Sequence, residues 1–192
     1  MQAKRGRPRN LETQQAILTS AYELLLELGF ATVTVDKIAD RAGVSKATIY
    51  KWWPNKAAVI MDGFLSAAAA RLPVPDTGSV YEDIRTHAGN LAEFLTSREG
   101  AVLRELIGEG QFDPGLADAY LSRYFQPRRQ EAAGLLRKGV QRGQLKDSLD
   151  LERCIDLLYG PIFYRLLVLK EPMDKADVSI IVNYAFHGIA TS

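Results

Sequence analysis

The sequence predicts an all-α fold, and three observations carry that prediction. Where apolar residues recur they do so at helical spacing, as in Ile17, Ala21, Leu24, Leu25 and Leu28, or in Val178, Ile181, Val182, Ala185, Phe186 and Ile189. Glycine, proline, serine and aspartate fall where such segments would start and stop. Residues 34–56, TVDKIADRAGVSKATIYKWWPNK, have the layout of two short helices crossing around a turn. About nine helices are expected in three parts: a disordered basic arm over residues 1–9, a helix-turn-helix head over 10–54, and a larger helical domain over 55–192.

The opening KRGRPRN sets Lys4, Arg5, Arg7 and Arg9 around Gly6 and Pro8. A segment so polar and glycine-proline-rich should be disordered in solution. Arg5 and Arg7 flank a narrow, extended core of the kind that lies in the minor groove of A·T-rich DNA; the other reading is a flexible tail. Asn10 is the expected cap of a first helix running to about Leu28, with Gly29 ending it. In the next stretch Ile38, Ala39, Val44 and Ile49 are the inward positions, and Gly43 reverses the chain before Ser45 caps a helix to about Trp53. Lys46, Ala47, Thr48, Tyr50 and Lys51 are left outward. A lysine and hydroxyls can reach base edges and phosphates, a small Ala47 permits close approach, and an α-helix fits the major groove. Pro54 stops this helix and Asn55 caps the next. Lys56 then sits in a first turn, the wrong end of a helix for a cation, which a phosphate partner would explain. Singly, Lys46, Lys51 and Lys56 also read as solvated charges; it is the whole pattern that favours nucleic acid.

The run ATVTVDKIADRAGVSKATIYKWWPNKAAV resembles the DNA-binding head of the tetracycline-repressor (TetR) family of bacterial transcriptional regulators. It shares that family's order of threonine, alanine, Ala-Gly-Val-Ser, tyrosine, aromatic and proline-x-lysine, and the likeness covers residues 11–60. The resemblance implies an all-helical homodimer that binds double-stranded operator DNA and releases it when a small molecule enters the C-terminal domain. It places DNA contacts at Thr34, Ser45, Lys46, Thr48, Tyr50, Trp52 and Lys56. Ala47 stands where glycine is common and Trp52 where histidine is common, so base preferences do not carry over.

A fourth helix, to about Leu72, links the halves, and LPVPDTG must be a loop. Ser79 caps a helix to about Thr96, a shorter one over 99–111 ends near Gly110, and Asp113-Pro114 opens another that runs to Gly143 and bends near Pro127. The segment from Asp150 to Leu169 is apolar on nearly every side, which predicts burial all round. Too little chain remains to cover it and the last helix, so a second copy is the expected cover. The expected dimer face is Ile155, Leu158, Ile162, Val178, Ile181, Val182, Ala185, Phe186 and Ile189; TetR dimers likewise pair their last two helices. Asp76–Ser79 and the run GPIFYRLL also resemble one subgroup of TetR C-terminal domains.

Composition narrows function. The 192 residues are 47% hydrophobic, enough for a sizeable core. Residues 1–60 hold 9 basic and 5 acidic side chains, net +4, and the remainder 15 and 18, net −3. A basic head on a mildly acidic body suits phosphate binding by the head alone. The single Cys154 excludes an internal disulfide, and no Cys/His spacing suggests a metal or cofactor. With no membrane span or signal core, a cytoplasmic protein is expected. No nucleophile-base grouping appears, and Glu105 and Glu109 read as a solvated helix face, so an enzyme is the least favoured class. A ligand-responsive DNA-binding regulator, a repressor released by a small, mostly apolar effector, is favoured over a DNA-bound structural protein without a switch. His87, Phe94, Arg104, Phe112, Tyr120, Tyr124, Tyr159 and Phe163 are the candidate effector contacts, each also readable as ordinary core. His87 and Arg104 stand out because a polar side chain on a buried face needs a partner.

Overall fold

The structure, a computed structural model, describes residues 8–68 and 72–189. Ten α-helical segments follow one another: α1 (Pro8–Thr32), α2 (Val35–Ala42), α3 (Lys46–Tyr50), α4 (Lys56–Ala68), α5 (Val80–Thr96), α6 (Arg98–Gly110), α7 (Pro114–Tyr120), α8 (Gln126–Gln141), α9 (Leu151–Phe163) and α10 (Lys175–Ile189). Because α7 runs into α8 through a wide π turn, Leu121–Phe125, the described residues form nine continuous rods and no β-strand. A second π turn, Tyr164–Leu169, extends α9.

Local chemistry sets most of the boundaries. Ser45, Asn55, Ser79 and Asp113 each accept the backbone N–H three residues on, satisfying donors a helix cannot pair internally. Thr34 does the same for α2, and Asp150 for α9. Two boundaries differ from expectation. Helix α1 begins at Pro8, which suits a first helical position, so Asn10 lies inside it. Helix α3 ends at Tyr50, and Trp52 and Trp53 complete a turn by donating to the Ile49 carbonyl at 3.0 and 3.1 Å.

Pro127 acts as the sequence suggests, but by widening the rod rather than by a simple bend. It has no N–H to offer the carbonyl of Arg123, four residues back, and the chain takes the π geometry at those residues. Pro161 lies inside α9, three residues before the second π turn, and its missing N–H leaves the Leu157 carbonyl without that partner.

The described residues pack as two compact units, 8–68 with 105–124 and 72–104 with 125–189. In the first, α4 and α2 lie along α1, α3 lies on α2, and α7 lies on α4. Helix α4 therefore packs with the head. A side-chain carbon at Gly63 would stand 2.7 Å from the Leu18 carbonyl oxygen, so only glycine lets α4 approach α1 this closely. In the second unit α5 packs on α8 and α10, and α9 on α8 and α10. The loop before α5 is tied to α8: Asp76 pairs with Lys138 and Arg142 at 2.7 Å each, which holds its carboxyl down at about 2. Gln144 brackets the same loop through the Val80 N–H and the Gly78 carbonyl.

Candidate nucleic-acid interface

The helix-turn-helix is built around buried Ile38, Ala39 and Ile49. Gly43, at φ 66°, closes α2, and the Val44 N–H returns to the Ala39 carbonyl at 3.0 Å. Arg41 forms a two-pronged pair with Glu27 of α1, both bonds 2.7 Å, which fastens α2 to its support. On α3, Ile49 points inward and Lys46, Ala47 and Tyr50 are exposed, with Tyr50 at 53%. Thr48 and Trp52 are half-buried; Thr48 shares a 2.9 Å hydrogen bond with the capping Ser45, and Trp52 meets Trp53 edge-on.

The electrostatics qualify two of the lysines. Lys46 pairs with Asp36 at 2.5 Å, which raises its ammonium above the ordinary range. That pair is open to solvent, where such contacts are weak and exchange readily for a phosphate. Lys56 is half-buried and already partnered. Its ammonium donates to the Phe30 carbonyl at 2.9 Å and lies 4.1 Å above the Phe30 ring, and burial lowers its pKa, with Asp113 and Glu109 opposing. The cation at the start of α4 thus serves the end of α1. Arg5 and Arg7 of the arm lie outside the described residues.

A second cluster behind the interface was not foreseen from sequence. One carboxylate oxygen of Asp62, on α4, accepts both the Trp53 indole N–H at 2.7 Å and the Arg123 guanidinium at 2.5 Å. Nothing in the sequence marks Asp62 as the partner of Trp53 and Arg123, since Arg123 lies 61 residues away.

The eight candidate effector contacts are divided between the two units. Phe112 is 90% exposed in the turn between α6 and α7, so it lines no interior. Tyr120 and Tyr124 stack in the first unit, whereas His87, Phe94, Arg104, Tyr159 and Phe163 belong to the second. Arg104 is spent on the Leu95 carbonyl, and Phe163 meets Phe125 edge-on. His87 and Tyr159 do come together, Nδ1 to hydroxyl at 2.7 Å, with Arg128 3.0 Å from the other ring nitrogen. Arg128 and its partner Glu131 were missed, because α8 brings them in from more than 40 residues away. A groove of about 500 Å³ in this unit is lined by Glu93, Thr96 and residues 172–177, none of them named from sequence.

The expected dimer face also needs correction. Ile155, Leu158, Ile162, Val178, Val182, Ala185 and Phe186 are buried within the single chain, and Ile181 is half-buried; the Ile189 side chain lies outside those described. The periodic stripe is the helices' inward face, packed on α5 and α8. Exposed instead are Leu157, Tyr164, Val168, Ile180 and Tyr184. Among the described residues no helix is long and apolar enough to cross a membrane.

Known proteins share this arrangement. The family described as bacterial regulatory proteins, tetR family, matches residues 17–61, and the tetracyclin repressor-like C-terminal domain matches residues 74–185. The chain is 64% identical over its whole length to YdeS, an HTH-type transcriptional regulator of Bacillus subtilis strain 168, spanning 98% of that protein. It is 27% identical to the DNA-binding transcriptional repressor TetR of Mycobacteroides abscessus, over 88% of each chain. The crystal structure of the TetR family transcription regulator SCO0332 superposes with a TM-score of 0.80 at 38% identity, covering 94% of this chain and 100% of that one. The chain belongs to the TetR family of bacterial helix-turn-helix transcriptional regulators.

Proposed function

We infer that this regulator binds double-stranded operator DNA as a homodimer, represses from it, and is released by a small, mostly apolar effector taken up by the C-terminal unit. One observation carries the DNA reading: α3 is seated by buried Ile49 and capped by Ser45, and it turns Lys46, Ala47 and Tyr50 outward together. A single helix of that length offers too small a surface for specific affinity, so two heads on two half-sites are needed. Thr34, Thr48, Trp52 and Lys56 flank the helix as further contacts, with Arg5 and Arg7 in the minor groove. The name of the 27% identical repressor supports repression as the sign of control. The aromatic composition of the C-terminal unit supports an apolar effector.

The test uses a duplex selected by the protein from random sequence. Lys46→Ala and Tyr50→Ala should change which duplex variants are preferred. Lys56→Ala should weaken all duplexes alike and reduce the salt slope by about one unit, as loss of one phosphate contact does. If Lys56→Ala lowered the melting temperature and left the salt slope intact, the lysine would serve Phe30 alone. A thermal-shift screen of small hydrophobic compounds, with and without the duplex, tests the effector: a compound that stabilises the free protein and weakens DNA binding is expected.

A further inference from the structure

The first unit contains a chain of contacts that runs from the recognition helix, through α4, to the π turn that follows α7. Trp53 closes the turn after α3, is 5% exposed, and donates its indole N–H to Asp62 of α4. Asp62 is held in turn by Arg123, the middle residue of the π turn Leu121–Phe125. The same turn docks on α4 a second time, where buried Tyr124 meets Phe64 edge-on at 6.4 Å. A tight double acceptance on one oxygen fixes where that carboxylate points, and the carboxylate fixes the indole.

We propose that Asp62 and Arg123 are positioning residues for DNA recognition: the π turn sets the pose of Trp53, and with it α3, through the shared Asp62 oxygen. The turn is suited to this because its geometry is not the one a regular helix takes. Pro127 withholds the N–H that would close an α turn on the Arg123 carbonyl, which disfavours the regular register there and keeps Arg123 turned toward Asp62. Recovering an α register would swing Arg123 by up to about 100°, one residue's share of a helical turn, and carry it off Asp62. Neither side chain is expected to touch DNA. The inference rests on the reading of α3 as the recognition helix given above.

The experiment uses the full chain carrying Arg123→Gln, Arg123→Lys or Asp62→Asn. Affinity is measured for the selected duplex and for an unrelated duplex of equal length. Loss of a charge-assisted bond that acts only on the pose of α3 should weaken the selected duplex about tenfold and the unrelated one by less than about twofold, with Arg123→Lys restoring most of the loss. In the free protein, the Trp53 indole N–H resonance, assigned with Trp52→Phe, should shift in Arg123→Gln although the two side chains are joined only through Asp62. Should Arg123→Gln fail to fold, Arg123→Lys and Asp62→Asn read the same two quantities. Equal losses on both duplexes, or an unmoved Trp53 resonance, overturn the proposal. A shifted resonance with unchanged duplex preference, in a protein whose Tyr50→Ala variant also keeps its preference, overturns it through the α3 reading instead.

Discussion

His87 shows how far a single residue can be read from sequence and where the reading stops. Its ring is 2% exposed on α5, and because Arg128 can only donate, the nitrogen facing it must accept, leaving the Nδ1–H to donate to the Tyr159 hydroxyl. Burial, and then the Arg128 charge, push the imidazole down to about 4 from the ordinary 6.5, while burial pushes the Tyr159 phenol up. The folded value lies below the unfolded one. The group is therefore without effect on stability above pH 6.5, and between 6.5 and 4 only the unfolded chain takes the proton. Stability should fall with pH across that window by at most about 1.4 kcal/mol per unit. Denaturant unfolding at pH 7 and pH 5 should show His87→Gln losing less stability than the natural chain; parallel losses would mean that the ring protonates freely in the fold. That His87 needed a partner followed from its place on an apolar face. Which partner did not, since Tyr159 is 72 residues away and no local spacing encodes it.

At the scale of elements, what is decided locally was legible. Ser45, Asn55, Ser79 and Asp113 cap where a short polar side chain precedes an apolar run, because the unpaired N–H groups lie within reach of that side chain. The π turns were not legible: a proline announces an interruption, but whether the rod kinks, ends or widens depends on what docks against it, here Tyr124 on Phe64. Gly29 lies between these cases. It was expected to end the first helix, and it does break the helical geometry, at φ 72° and ψ 163°, but α1 resumes to Thr32. That conformation is nearly confined to glycine, and an added side-chain carbon would meet a Glu105 carboxylate oxygen at 3.0 Å. Gly29→Ala should therefore cost about 1–3 kcal/mol in denaturant unfolding. The variant should also disturb the neighbouring Phe30 carbonyl that receives Lys56. An unchanged midpoint would show that the backbone relaxes into a left-turning form at no cost.

For the whole molecule, the question is what covers the apolar surface that one chain leaves open. The segment Asp150–Leu169, apolar on nearly every side, was expected to be buried all round; the single chain buries only one side of it, and periodicity alone cannot say which side of a helix faces the chain's own core. The structure assigns the stripe of Ile155, Leu158 and Ile162 to that core, and leaves Leu157, Tyr164 and Val168 on α9, with Ile180 and Tyr184 on α10, in solvent. Six large apolar residues exposed along α9, its π turn and α10, counting Leu169, are more than scattered surface residues explain, and in a family that works as dimers the expected cover is a second copy. The two sets of residues then respond differently to a charge. Ile162→Asp buries an unpaired carboxylate in the single chain, so it should unfold the protein at any concentration. Tyr184→Asp, at a position 72% exposed in the monomer, should leave helix content and monomer folding intact. In sedimentation it should shift the protein from dimer to monomer, and affinity for a two-fold symmetric duplex should fall toward that for a single half-site. A Tyr184→Asp protein that sediments as a tight dimer with undiminished affinity would place the interface on another face of the molecule.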